Sequence, residues 1–391
     1  MIRLWRRATA ALPWRRRKAR IANGALHEEL GDDYYLASQW TLMWRKFRKH
    51  RLAKASLVVL GVFYFIGIFA EFFAVQGLRN YDSRFVYAPP MGVHFVHPAH
   101  GFSLRPFVYG LKQERDPETL RLRYVPDTSV TYRVRFFTRG EPYRLWGVIP
   151  WDVHLYGAEG EGQIFLLGTD SLGRDLVSRL IHGARISLSI GLVGVAISLV
   201  VGTIMGSISG FFGGLADTII QRIVEVLRSF PEIPLWMALS AALPPDMPLV
   251  RTYFLITVIL SLVGWTGLAR VVRGKFISMR EEDFVMAAQV SGATDARIIR
   301  THMIPGFISY LLVEVSLAIP RMILAETSLS FLGLGLRSPV TSWGVLLQEA
   351  QSVRTVSLHP WLLIPVIPVI ITVLAFNFVG DGLRDAADPY A

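Results

Sequence analysis

Ile186-Ser-Leu-Ser-Ile-Gly-Leu-Val-Gly-Val-Ala-Ile-Ser-Leu-Val-Val-Gly-Thr-Ile-Met-Gly-Ser-Ile-Ser-Gly210 runs for 25 residues without one charged side chain. About 20 mostly apolar residues suffice for a helix to cross the hydrocarbon core of a bilayer, so this stretch makes a membrane the expected solvent. The whole chain agrees. Of its 391 residues, 52% are hydrophobic and 18% charged, with a mean hydropathy of +0.40. A soluble fold of that composition would expose apolar patches prone to aggregation. The chain has no cysteine, which excludes disulfides, thiolate metal sites and cysteine nucleophiles.

Outward from 186–210, five further stretches reach spanning length: 55–75, 217–243, 253–272, 307–329 and 361–379. The expected fold is therefore an all-α polytopic membrane protein with six transmembrane helices. Its parts are a basic tail (1–54), a first span (55–75), an insert (76–165) and a domain of five more spans (166–391). The first span lies too far from the N-terminus, and is too long, for a cleaved signal core.

Lys and Arg near span ends set orientation. Residues 1–54 hold fourteen Lys/Arg against four Asp/Glu, so nearly all of the net charge of +11 sits in one tail. Arg45, Lys46, Arg48, Lys49, Arg51 and Lys54 abut the first span; Arg273, Lys275, Arg280, Arg297 and Arg300 fill the 273–305 loop. With both groups inside, both termini are cytoplasmic and the insert lies outside. The run Arg15, Arg16, Arg17, Lys18 and Arg20 has two readings, a nucleic-acid contact or an anchor for anionic lipid. No recognition fold accompanies it, so membrane lipid is the expected partner and nucleic acid is not.

Within 76–165, Thr119-Leu-Arg-Leu-Arg-Tyr-Val125 and Ser129-Val-Thr-Tyr-Arg-Val-Arg-Phe136 alternate with period two around Pro126-Asp127-Thr128, which predicts a β-hairpin. Strands over 102–111 and 143–146 would complete a small antiparallel sheet. His94, His97 and His100 recur every three residues, but Pro89, Pro90 and Pro98 argue against a helix presenting them together. Loop histidines are expected, and no metal site. Residues 166–185 read as a separate interfacial helix capped by Asp170 or Ser171. Leu172, Leu176, Val177, Leu180 and Ile181 would be its apolar face. Arg174, Asp175, Ser178 and Arg179 would be its wet face, with Asp175 and Arg179 paired four apart.

A transporter needs an energy source, and the chain carries no phosphate-binding loop, zinc signature or nucleophile elbow. Gly274-Lys275 lacks the first glycine and the hydroxyl of a phosphate loop. No catalytic residue is nominated and the chain is not expected to be an enzyme; if transport is ATP-driven, the ATPase comes from a partner. The informative segment is Arg280-Glu-Glu-Asp-Phe-Val-Met-Ala-Ala-Gln-Val-Ser-Gly-Ala-Thr-Asp-Ala-Arg-Ile-Ile-Arg-Thr-His-Met-Ile-Pro305. Glu281, Glu282 and Asp283 suit the positive end of a starting helix. Gly292 ends it, Thr294 can cap a second helix with Ile298 and Ile299 inward, and Pro305 closes the unit. Ala287, Ala288 and Ala293 leave a small-residue bend that would fit a cleft on another protein.

This segment resembles the EAA loop of bacterial ABC importer permeases: Glu-Ala-Ala, three residues, Gly, nine residues, Ile-x-Leu-Pro. Ala287, Ala288, Gly292 and Pro305 match at the right spacing, while Met286, His302 and Ile304 replace the glutamate, isoleucine and leucine. Leu167-Gly-Thr-Asp-Ser-Leu-Gly-Arg-Asp175, Glu326-Thr-Ser-Leu-Ser-Phe-Leu-Gly-Leu-Gly335 and Gly380-Asp-Gly-Leu-Arg-Asp-Ala-Ala-Asp-Pro389 resemble the second-permease subunit of the oligopeptide/dipeptide branch. The insert and the long tail fall outside the usual pattern. The resemblance implies a second homologous permease, two ATP-binding subunits that receive the loops at 281–305 and hold ATP and Mg²⁺, and an extracytoplasmic solute-binding protein. It implies no cofactor in this chain, and that the membrane is a bacterial inner membrane. Oligosaccharides, opines or nickel complexes are alternative solutes within the class.

Inside the spans, Gly202, Gly206 and Gly210 form a small-residue stripe for close helix packing, within the chain or against the second permease. Pro365 and Pro368 predict a kink in the last span. Glu314 and Arg321, seven apart, share a face suited to a pathway or to a structural pair, and Arg222 with Glu225 suits a structural pair. A proton-coupled carrier would need a buried relay and paired repeats; the sequence displays neither.

Overall fold

The computed structural model describes residues 39–387, apart from 79, 98–100, 116, 118–121, 161, 245 and 339. The basic run at 15–20, His100, the start of the 119–125 stretch and the end of the 380–389 motif lie outside the described residues. In chain order the elements are α1 (Gln39–Lys49), α2 (Arg51–Ile68), α3 (Ala70–Phe73), β1 (His94–His97), β2 (Gly101–Arg115), β3 (Leu122–Leu145) and β4 (Ile149–Ala158). Then follow α4 (Leu176–Phe212), α5 (Gly214–Ser229), α6 (Glu232–Ala241), α7 (Leu249–Met279), α8 (Asp283–Val290), α9 (Asp295–Arg297), α10 (Ile304–Gly306) and α11 (Ile308–Phe331). The last are α12 (Trp343–Gln348), α13 (Val353–Leu358) and α14 (Val366–Ala387).

Among the described residues, five helical stretches, not six, are long and apolar enough to cross a bilayer: α2, α4, α7, α11 and Pro360–Ala387. The expected third span breaks at Phe230, which is extended (φ −87°, ψ 137°) ahead of Pro231. Proline disfavours helical backbone in the residue before it and donates no hydrogen bond. The stretch therefore splits into α5 of 16 residues and α6 of 10.

The separate interfacial helix does not form either. Asp175 caps α4, accepting from Ser178 N at 2.7 Å, and the helix then continues unbroken for 37 residues. At about 1.5 Å per residue it is ~55 Å long, well beyond the ~30 Å hydrocarbon core, so its end turns project from the membrane. In the last span Pro365 lies just before α14 and Pro368 in its first turn. Proline's missing N–H has no intrahelical partner there, so neither residue kinks the helix midway.

α4 and α7 pack along much of their length. A Cβ on Gly202 would meet Trp265 O at 2.9 Å, on Gly206 Ala269 O at 2.6 Å, and on Gly210 Arg273 O at 2.7 Å. The stripe thus faces α7 of the same chain, with backbones close enough for dense dispersion contact. The main core joins α2, α4, α7, α11, α12 and α14 through side chains such as Leu60, Leu188, Leu260, Ile323, Trp343 and Phe376.

Residues 94–158 fold into a four-stranded antiparallel meander in the order β1-β2-β3-β4. Pro126-Asp127-Thr128 is not a hairpin turn. Leu111 pairs with Pro126 and Gly110 with Asp127, then the register jumps so that Tyr109 pairs with Thr131. The three extra residues bulge, held by Asp127 Oδ1 accepting from Ser129 N at 3.0 Å. His94 and His97 lie on β1 rather than in a loop, and His94 packs beside Phe107 and Tyr109.

Candidate functional site

The loop between α7 and α11 is an exposed knob on a buried base. Glu282 is the N-cap residue of α8 with its side chain free of the cap, while Asp283 opens the first turn. The helix ends in a paired-hydrogen-bond stop. Gly292 N donates to Gln289 O at 2.9 Å and Ala293 N to Ala288 O at 3.1 Å, with Gly292 at φ +78°. This is the Schellman arrangement, which wants glycine at that position and a contact between the residues either side. Ala288 and Ala293 occupy those two positions, and both pack against the buried cluster that holds Val285, Ile298 and Met303. Val285, Ile298 and Met303 also bury against Phe276, Phe307 and Leu311 at the ends of α7 and α11. The other surface is solvent-facing: Glu282, Met286, Ala287, Gly292 and Pro305 are exposed, and Val290 is 90% exposed.

After Gly292 the chain differs in detail from the expected second helix. Thr294 occupies the cap position without a side-chain bond, and α9 passes into a π-helical turn, Ile298–Met303, before α10. Ile298 is buried as expected and Ile299 partly so. The knob's footing is clamped by Arg273, which grips Asp217 with two 2.6 Å bonds, and by Arg280, which donates to Phe211 O at 3.4 Å. Asp217 is held below the usual carboxylate range by its hydrogen bonds to Arg273, against burial.

Glu314 and Arg321 share one face of α11, with carboxylate and guanidinium 3.9 Å apart and the side chains 28% and 72% exposed. They border a cleft of about 230 Å³ that Arg228, Glu232, Trp236 and Met322 also line. The cleft therefore presents two cationic and two anionic groups among apolar walls. Arg222 pairs with Glu225 at 3.0 Å on the exposed side of α5.

A second charged centre was not apparent from sequence. Asp170, Arg174 and Arg179 are buried and meet Glu349 from the segment after α12. Arg174 Nε donates to Asp170 at 2.6 Å, Arg179 Nη1 contacts Asp170 and reaches Glu349 at 2.9 Å, and Arg174 Nη2 reaches Glu349 at 3.3 Å. Helical periodicity had put Arg174, Asp175, Ser178 and Arg179 on a wet face with Asp175 and Arg179 paired. All four are buried, and Arg179 pairs elsewhere. Burial pushes the Asp175 carboxyl up to about 6, against the hydrogen bonds it accepts from Ser178. The available signal was Glu349, the sole acidic residue in 336–360. Glu326 is also fully buried, its oxygens held by the hydroxyls of Ser187 (3.1 Å) and Ser330 (2.8 Å).

These features define a membrane-embedded transport subunit: spanning helices packed through close backbone approaches, a charged cleft between them, and a rigid knob at their ends. The chain belongs to the family of binding-protein-dependent transport system inner membrane components, which matches residues 202–390. The N-terminal TM domain of oligopeptide transport permease C matches residues 38–90. The chain is 42% identical over 240 residues to the oligopeptide transport system permease protein OppC of Haemophilus influenzae, covering 61% of this chain and 74% of that one. It is 39% identical to the Bacillus subtilis OppC, covering 57% and 70% of the two chains. It is also 39% identical to the glutathione transport system permease protein GsiD of Pectobacterium atrosepticum, covering 59% and 74%. Among solved structures, an inward-facing MetNI methionine ABC transporter matches 53% of this chain and 95% of that chain at 17% identity. Its TM-score is 0.42. The protein is thus a permease subunit of an ABC transporter, and ATP hydrolysis is the work of partner subunits.

Proposed function

We infer that this permease imports peptides, delivered by an extracytoplasmic solute-binding protein and driven by two partner ATPases that hold ATP and Mg²⁺. A second homologous permease completes the pathway. The similarity to oligopeptide and glutathione permeases supports the solute class. The single observation that carries the mechanism is the α8–Gly292–α10 knob, with an exposed crest and a base buried against α7 and α11. Glu282, Ala287, Ala288, Gly292, Ala293 and Pro305 form or brace the surface received by an ATPase. A rigid base transmits displacement to the spanning helices where a solvated loop would absorb it.

Glu314 and Arg321, with Arg228 and Glu232, line the pathway, and their paired signs suit a solute carrying both an ammonium and a carboxylate group. Both termini are cytoplasmic, by the Lys/Arg clusters beside the first span and in the knob. This takes an even number of crossings. Because α4 and α7 pack in parallel (Gly202 on Trp265, Gly210 on Arg273), the broken α5–α6 stretch carries the chain back across the bilayer between them. The 76–165 insert then lies outside and enlarges the platform for the binding protein.

Gly292→Arg tests the reading. The backbone there is left-handed and the site is open, so the arginine adds local strain and projects from the crest. Normal membrane accumulation with loss of solute-stimulated ATP hydrolysis is expected in the assembled transporter. Full stimulation would remove the knob from the coupling route.

A further inference from the structure

The β3–β4 hairpin doubles back beside the chain leaving the first spanning helix. Midway along it, His154 Nδ1 meets Ala74 O at 2.6 Å, and the Glu141 carboxylate accepts from Gly77 N at 3.3 Å. At its tip, the Trp146 indole N–H donates at 2.8 Å to the carbonyl of Ile68, the last residue of α2. Ile68 precedes Ala74, so the hairpin runs back toward the membrane and its tip stands level with the end of the span. α2 has 18 residues, or ~27 Å at about 1.5 Å each, close to the ~30 Å hydrocarbon thickness. Ile68 therefore sits at the bilayer boundary.

The tip is apolar and uncovered. Trp146 and Gly147 take positive φ (54° and 75°) in the three-residue turn 146–148 that joins the paired Leu145 and Ile149. Trp146, Ile149 and Trp151 are exposed, and Val148 is 77% exposed. This surface continues the exposed stripe of α2. Val58, Val62 and Phe65 lead to Phe69, whose ring lies 4.9 Å from Phe65 and 5.5 Å from Trp146. An indole with its N–H satisfied and its ring at the membrane boundary is the arrangement of an aromatic belt. Arg144, exposed on the same hairpin, suits phosphate headgroups, while Arg139 pairs with Asp152 across the strands at 3.6 Å.

We propose that the hairpin tip, residues 146–151, inserts into the interfacial layer of the lipid bilayer and pins the sheet to the membrane beside the first span. Continuity with the stripe of α2 selects lipid as the occupant. The inference depends neither on the solute nor on which side of the membrane the sheet occupies.

Because the chain lacks cysteine, single labels can be placed cleanly. Val148→Cys at the tip and Ser129→Cys in the distant bulge would carry a spin label on the full chain. The chain would be held in nanodiscs of phosphatidylethanolamine and phosphatidylglycerol. Collisions with oxygen, which partitions into lipid, are compared with those of a water-soluble nickel chelate. Oxygen should dominate at 148 and nickel at 129. Equal nickel access at both sites overturns the proposal, and so does a 148 label closed to both reagents, which would mean a protein covers the tip. Trp151→Cys provides the same reading, with the same outcomes, if the first variant fails to accumulate.

Discussion

At Gly206 the backbone of α4 comes so close to α7 that a Cβ would stand 2.6 Å from Ala269 O and 2.7 Å from Val272 Cβ. Overpacking of this kind costs about 1–3 kcal/mol. Gly206→Val should lower the thermal midpoint of the purified protein, whereas Gly61→Ala, inside α2 where a Cβ meets nothing within 4 Å, should leave it the same or higher. Equal midpoints for the two variants would contradict the packing. Glu71, just beyond the first span, makes a different kind of prediction. Burial pushes its carboxyl up, but hydrogen bonds and charge from Arg185, 2.5 Å away, outweigh burial and hold it below its ordinary 4.5. A carboxylate depressed in the folded state stabilises fully above its ordinary value, and that stabilisation is lost as pH falls below it. The midpoint of the wild type should therefore fall more steeply below pH 4.5 than that of Arg185→Gln; parallel curves would contradict this. Gly292 was legible from sequence because one residue type serves one backbone geometry. The burial of Arg179 was not, because its partner Glu349 lies 170 residues away.

Among the elements, the ionic network joins the start of α4 to the segment after α12. Asp170 also accepts from Leu172 N at 2.8 Å and Arg174 N at 3.0 Å, so one carboxylate organises both the turn and the helix start. Removing a member of a buried charge network leaves its partners uncompensated, at about 3–5 kcal/mol. Asp170→Asn should accumulate poorly or unfold at a clearly lower temperature, while Arg222→Gln, in an exposed pair, should not. Similar behaviour of the two variants would argue against the network as a clamp. The apolar runs behind α2, α4, α7, α11 and α14 were readable because a bilayer demands a minimum length of greasy helix. Where sequence reading failed, local chemistry had more than one structural use. Pro231 divides the stretch read as a third span into two helices, a break that composition alone did not announce. Pro126-Asp127-Thr128 carried turn chemistry that the sheet used as a bulge, and the charged side of 174–179 had the periodicity of a wet face but was covered by a distant segment.

Over the whole molecule, the knob's own buried cluster includes Leu268 of α7, which also lines the charged cleft, so motion imposed on the knob has packed side chains through which to reach the cleft. The sheet is the part whose role the family match leaves open, since the two matched regions, 38–90 and 202–390, flank its strands. Removal of 85–160 should weaken docking of the solute-binding protein while leaving ATPase assembly intact; unchanged uptake and docking would deny the sheet its platform role. The most direct measurement is isolation of the tagged chain from gently solubilised membranes, with identification of the proteins that accompany it. A second permease and ATP-binding subunits should co-purify with the wild-type chain and with Gly292→Arg alike, the Gly292→Arg assembly lacking only the solute-stimulated ATP hydrolysis. A chain that purifies alone and transports in vesicles on a proton gradient without ATP would contradict its assignment as the coupled subunit of an importer.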